Sequence, residues 1–182
     1  MKVVSAETMQ KAERLTIHDF FIPGQVLMET AGRACADFID ADYGFGKKKS
    51  AVIVAGKGNN GGDGYVIARC LQRMGWTVSV FVIAERKSIA GDAERNLSLL
   101  DPLIVHYCPE SGDLLPFQSE FHGATVIVDA LFGIGITKDV TGSLLSRLIL
   151  NSSAFARTLD RPERSDIRTR VELPTSSGLM CS

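Results

Sequence analysis

The chain has 182 residues and a net charge of −1, which suits one domain with a full core and leaves no electrostatic footprint for nucleic acid. No run approaches the ~20 apolar residues of a membrane span, and an N-terminus carrying Glu7 without a long apolar core is not expected to be a signal peptide. Cys35, Cys70, Cys108 and Cys181 lie far apart with no Cys-x-x-Cys pair, so the expectation is free thiols in a reducing, cytoplasmic setting, not a zinc site or a disulfide frame.

Ser5 is a fair N-cap, and the pattern predicts a helix from Ala6 to about Asp19, with His18 as a cation at its end. Pro23-Gly24 breaks the chain. A second helix is expected from about Gln25 to Ile39, with Leu27, Ala31, Ala34 and Phe38 on one face. Two helices ahead of the first strand are more than a sheet needs as cover, and the surplus suits a homodimer interface. Lys47-Lys-Lys49 reads as a solvated loop.

Ala51 to Ala55 is a short apolar run with three β-branched residues, the signature of a strand buried on both faces. Five of the next nine residues are glycine: Gly56, Gly58, Gly61, Gly62 and Gly64. Glycines reach positive φ and let backbone N–H groups turn inward as an anion site, to which the following helix adds its positive end. A helix is predicted from Tyr65 to Met74, with Val66, Ile67, Cys70, Leu71 and Met74 forming its stripe and Gly75 stopping it; Thr77 to Ile83 then reads as a second strand. Strand, glycine turn, helix and strand form a βαβ unit, which demands a parallel sheet. Gly56-x-Gly58-x-x-Gly61 satisfies the dinucleotide fingerprint, with Glu85 where a ribose-binding acid would stand. The Walker pattern fails, because no Gly-Lys-Ser/Thr follows. Neither pattern explains Asn59, Asn60 and Asp63.

Further along, Ala90 to Leu100 reads as a helix with Ala93, Leu97 and Leu100 aligned, and Leu103 to Tyr107 as a short strand in which His106 is structural. Pro109 to Phe121 is turn-rich, and His122 has no partner in sequence. Thr125 to Asp129 is a clear strand ending on an acid, and ligands of open parallel sheets sit beyond such ends. Gly133-Ile-Gly135 forms a second turn of backbone donors. A helix is expected from Ser143 to about Leu150.

Gly56-Lys-Gly-Asn-Asn-Gly-Gly-Asp-Gly64, together with Val128-Asp-Ala-Leu-Phe-Gly133 and Ile22-Pro-Gly-Gln-Val-Leu-Met-Glu-Thr-Ala-Gly32, resembles the NAD(P)H-hydrate epimerases, the YjeF N-terminal domain family. The resemblance covers residues 1–153. It implies a Rossmann-like three-layer αβα sandwich with a mainly parallel sheet and two leading N-terminal helices. It implies an isomerase of nicotinamide nucleotide repair that interconverts the R and S forms of hydrated NADH or NADPH, with the dinucleotide as substrate and NAD(P)H-hydrate dehydratase as functional partner. By the same resemblance, Asn59, Asn60, Gly61, Gly62 and Asp63 contact substrate, as do Gly133, Ile134, Gly135, Ile136, Thr137, Lys138 and Asp139. Asn60 and Asp129 match positions that bind one potassium ion per subunit, and an amide oxygen and a carboxylate are suitable hard ligands. Asp139 is nominated as proton carrier. Asp63 is the other candidate, with a helix N-cap as its structural alternative.

Residues 154–182 depart from that pattern. No lysine follows Lys138, while six of the twelve arginines do. Where the family carries Val-Asp-Ile-Pro-Ser-Gly, this chain has Val171-Glu-Leu-Pro-Thr-Ser-Ser-Gly178. The tail is expected to be disordered or frame-altered, or else divergent but folded. Proteolysis that left it intact would count against disorder. Two other functions stay open beside the epimerase: an NAD-dependent oxidoreductase domain, from the fingerprint and Glu85, and a non-catalytic dinucleotide-binding module or truncated inactive epimerase, from the altered last motif.

Overall fold

The apolar run ahead of the glycines becomes β1, Ser50–Ala55, in a computed structural model that describes residues 5–45, 48–109, 114–131 and 133. β1 pairs in parallel with β2, Thr77–Val82. β3, Val105–Tyr107, lies parallel on the far side of β2, and β4, Val126–Ala130, lies parallel on the other side of β1. The order is therefore β3-β2-β1-β4. Parallel neighbours need crossovers, and the crossovers place helices on both faces.

The helices are α1 (Ala6–His18), α2 (Gly24–Tyr43), α3 (Asn59–Arg73), α4 (Gly91–Ser98) and α5 (Gln118–Gly123). On one face Ile53, Ala55, Val80, Val82 and Val128 share a core with Met28 and Ile39 of α2, Ile67 and Leu71 of α3, and Leu97 of α4. On the other, Val52, Val54 and Phe81 pack with Cys108 and with Phe121 of α5. The expected three-layer, Rossmann-like architecture is present. No described helix is long and apolar enough to cross a membrane.

Several local expectations change. α3 starts at Asn59, six residues ahead of the predicted Tyr65, so the turn residues Asn59 to Gly64 are its first turns. The glycines lowered the intrinsic helix propensity of that stretch, and burial overrode it: every residue from Asn60 to Ala68 is buried. α2 runs on to Tyr43, and its buried face is Met28, Gly32, Cys35, Ala36 and Ile39, rotated from the expected Leu27, Ala31, Ala34 and Phe38. The cause is Gly32, where a Cβ would stand 2.5 Å from Cβ of Val66. That close approach turns the glycine edge of α2, not the alanine edge, toward α3. β3 is three residues long, because Pro102–Ile104 forms a 3-10 turn ahead of it. The stop at Gly75 is as expected. Gly75 has φ +83, its N–H donates to the Gln72 carbonyl, and the Trp76 N–H donates to that of Leu71, a Schellman closure.

His106 stacks on Phe81 with ring centroids 5.0 Å apart and lies 4.8 Å from the Phe117 ring, which makes it structural. Cys35, Cys70 and Cys108 are buried and in no disulfide, and burial pushes the thiols of Cys70 and Cys108 above their usual range. The 153/154 boundary, the Ser143–Leu150 helix and the altered tail motif lie outside the described residues.

Candidate functional site

The crevice at the carboxyl end of the sheet is built from the chain segments that leave β1 and β4. Gly56 N–H donates to the Ala130 carbonyl at 3.0 Å, and a Cβ on Gly56 would stand 2.3 Å from the Leu131 carbonyl oxygen. The two motifs far apart in sequence are thus in contact at their bases. This is also the point where strand order reverses, since the chain runs from β1 outward to β2 and β3 and then returns to β4 on the opposite side.

The glycines divide into two kinds. A Cβ on Gly61 would come within 2.0 Å of the Gly56 carbonyl oxygen, one on Gly62 within 2.6 Å of the Met28 thioether, and one on Gly64 within 2.7 Å of Cβ of Ala130. Those glycines let α3 settle onto the sheet and onto α2. None of the turn glycines takes positive φ, so the expected inward-curling nest is absent; the donors come from the start of a helix instead. Gly58 is different. It is the N-cap of α3 at φ −94°, which any residue can adopt, and a Cβ there would meet no described atom within 4 Å. No packing within the described residues requires glycine at this position.

Because Gly58 offers no side chain, α3 begins without a side-chain cap. Its first-turn N–H groups and the positive end of a 15-residue helix face the space over Gly58. Such an end accepts phosphate or carboxylate. Asn59 is exposed at the first position of the helix, whereas Asn60 and Asp63 are buried, at 5% and 1% exposure. Asp63 is the fifth residue of α3, which removes the N-cap alternative for it. Asp129 is half-buried on β4, level with Val54 of β1, and its Oδ1 accepts the Leu131 N–H at 3.1 Å. That bond orients the carboxylate. Gly133 is half-buried just beyond β4. Ile134, Gly135, Ile136, Thr137, Lys138 and Asp139 lie outside the described residues.

One supporting residue carried no signal in sequence. Tyr65, fully buried in α3, donates its hydroxyl to the Gly56 carbonyl at 3.1 Å and so braces the turn from below. Burial pushes its phenol well above the usual range, so it remains a donor at any working pH. Among the described residues no three His, Cys, Asp or Glu side chains group as a metal site. The oxygens of Asn60 and Asp129 match a hard monovalent cation in chemical kind, with both residues near the carboxyl end of the sheet.

Fold and crevice together define a doubly wound α/β domain with an anion-accepting helix start at the strand-order reversal. Residues 24–163 match the family described as YjeF-related protein N-terminus, and the chain belongs to that family. It is 40% identical over 147 residues to the bifunctional NAD(P)H-hydrate repair enzyme Nnr of Salinibacter ruber, covering 76% of this chain and 27% of that protein. It is 32% identical over 161 residues to the NAD(P)H-hydrate epimerase of Oenococcus oeni, covering 87% of this chain and 73% of that one. The crystal structure of yeast ynu0, YNL200c, superposes with a TM-score of 0.69 at 25% identity, over 88% of this chain and 67% of the yeast chain. The chain thus spans about a quarter of the bifunctional relative and about three quarters of the single-function one.

Proposed function

We propose that the chain is an NAD(P)H-hydrate epimerase, interconverting the R and S forms of hydrated NADH or NADPH. The observation that carries this is Gly58: a glycine that neither its backbone conformation nor any described neighbouring atom demands, at the start of a buried helix with no side-chain cap. Close approach by a ligand's phosphates explains it. Two relatives whose printed names contain NAD(P)H-hydrate supply the substrate class.

The chemistry is a proton-coupled exchange of water at one ring carbon. That carbon carries hydroxyl and is bonded to the ring nitrogen. Protonation of the hydroxyl lets it leave as water with the C–O electron pair, while the nitrogen lone pair closes a C=N bond. Water then adds to the opposite face and gives its proton back, so nothing is oxidised or reduced. The proton carrier must be held within hydrogen-bond reach of that oxygen; Asp139 is our nomination, with Asp63 second. The α3 N-terminus would hold the phosphates, with Asn59 to Asp63 and, by the family resemblance, Gly133 to Asp139 as the other substrate contacts. Asn60 and Asp129 would hold a potassium ion, which when bound supplies fixed positive charge close to the anionic substrate. The setting proposed is cytoplasmic nucleotide repair, with a dehydratase consuming the product, an association prompted by the word bifunctional in the Salinibacter relative's name.

The test is proton NMR exchange between the two epimers of NADPH hydrate, with and without the chain, in potassium and then in sodium buffer. Acceleration that needs potassium is expected. No acceleration by folded protein would instead favour a dinucleotide-binding module without catalysis, the reading that the altered Val171–Gly178 motif supports.

A further inference from the structure

A dinucleotide is longer than the turn that holds its phosphates. With one nucleoside directed toward Asp129 and Gly133, the other must cross to the β2 side of Gly56. There β2 stays in register past its last ladder residue, with the Ile83 N–H donating to the Ala55 carbonyl at 2.8 Å. The chain therefore leaves β2 beside the turn. Its next polar residues are Glu85, Arg86 and Lys87. Glu85 is the N-cap of the 3-10 turn Arg86–Ser88, yet its side chain makes no capping bond. Its carboxylate instead meets Lys87 Nζ at 2.8 Å on the surface. Arg86 Nη2 donates to Glu94 Oε1 of α4 at 2.7 Å, so the guanidinium is held in place. α4 in turn packs on the start of α3, where a Cβ on Gly62 would stand 3.1 Å from Cα of Ala93, so Arg86 is tied to a helix that borders the crevice.

From this we infer that the β2 end is the subsite for the adenosine ribose, Glu85 accepting a free 2′-hydroxyl and Arg86 taking a 2′-phosphate. The inference rests on the dinucleotide reading above. A carboxylate accepts from hydroxyls and repels a phosphate, whereas a guanidinium binds phosphate oxygens in pairs. In parallel-sheet dinucleotide folds an acid at this strand end serves the first ligand and a nearby arginine the second; here both occur side by side. Lys87 offsets the repulsion Glu85 would exert on the phosphate, and Glu94 parks Arg86 when the phosphate is absent.

The experiment measures KM and kcat for both hydrates, together with calorimetric binding of 2′,5′-ADP and 5′-ADP. R86Q is expected to raise KM for NADPH hydrate by about tenfold or more relative to NADH hydrate, with kcat changed less, and to weaken 2′,5′-ADP in parallel; R86K recovers part of this. E85Q is expected to raise KM for NADH hydrate about fivefold relative to NADPH hydrate. E94Q, which releases Arg86, shifts preference toward the phosphorylated form. R95Q, which removes a cation paired with Asp92 on the same helix, leaves the preference where it was. If R86Q and E85Q move both substrates alike, or neither, while the parent chain binds both probes and epimerises, this inference alone is overturned. If the parent chain binds neither probe and exchanges neither hydrate, the dinucleotide reading goes with it.

Discussion

At the amino end of the sheet, Asp40 of α2 accepts from Lys49 Nζ and from Trp76 Nε1, both at 2.7 Å, tying α2 to the residues that lead into β1 and β2. A Cβ on the adjoining Gly44 would stand 2.3 Å from the Asp40 carbonyl oxygen, so that corner is filled by its own atoms. At the carboxyl end the same ingredients recur: a carboxylate on Asp129, a glycine turn, and a buried aromatic donor, Tyr65. There, however, a Cβ on Gly58 would meet no described atom within 4 Å. One end uses polar groups to fasten the chain to itself, and the other holds a helix start open above a fastened base. Substitutions at the first should therefore change stability, and those at the open position of the second should change binding and turnover.

The sharpest way to break this contrast is a pair of glycine substitutions three residues apart. Gly61→Ala would place Cβ 2.0 Å from the Gly56 carbonyl oxygen and 2.8 Å from its carbon, both backbone. The turn cannot yield without moving β1, and a loss of about 3 kcal/mol in urea unfolding is expected. Gly58→Ala meets no described atom within 4 Å and needs no unusual φ. Its weaker capping is offset by reduced freedom of the unfolded chain, leaving stability within about 0.5 kcal/mol. Epimer exchange should nonetheless fall roughly 10- to 100-fold as the phosphates are pushed off the helix start. A fully active Gly58→Ala would show that no ligand approaches at that point. Tyr65→Phe is intermediate: it removes the donor to the Gly56 carbonyl and should cost about 1–2 kcal/mol.

Much of this architecture was legible from pattern. The run Ala51 to Ala55 and the stripe Val66, Ile67, Cys70 and Leu71 gave β1 and the later turns of α3, because a buried parallel strand and a helix differ plainly in period and length. The start of α3 was not legible. Asn59 to Gly64 reads as a turn by propensity, and only contacts with Gly56, Met28 and Ala130 show why a helix there needs glycine at three places. The glycine count also carried less functional meaning than its density implied, since packing among the described residues explains Gly56, Gly61, Gly62 and Gly64 and leaves Gly58 for a ligand. Tyr65 was invisible as a brace because its partner is a backbone carbonyl nine residues away. The buried face of α2 departs from its pattern because Ala31 and Ala34 look like the contact edge, whereas Gly32 allows the closer approach.

The smallest expected effect tests the amino end by pH. Hydrogen bonds from Lys49 first, and from Trp76 second, hold the Asp40 carboxyl below the usual carboxylate range. The folded chain therefore releases this proton more readily than the unfolded chain, whose carboxylate titrates near 3.9. Stability gained in this way is fully present above that unfolded value and is lost as pH falls through the lower folded one. Asp40→Asn keeps the shape, cannot ionise, and should cost about 1 kcal/mol at pH 7, because the pair with Lys49 is partly exposed and solvent screens it. The gap between parent and variant urea midpoints should hold steady from pH 7 to 5 and shrink below about pH 4. Exchange of NADPH hydrate by the folded variant should match the parent throughout that range. A gap independent of pH would mean that Asp40 acts through shape alone, and a loss of exchange without a loss of stability would couple the two ends of the sheet that the structure keeps apart.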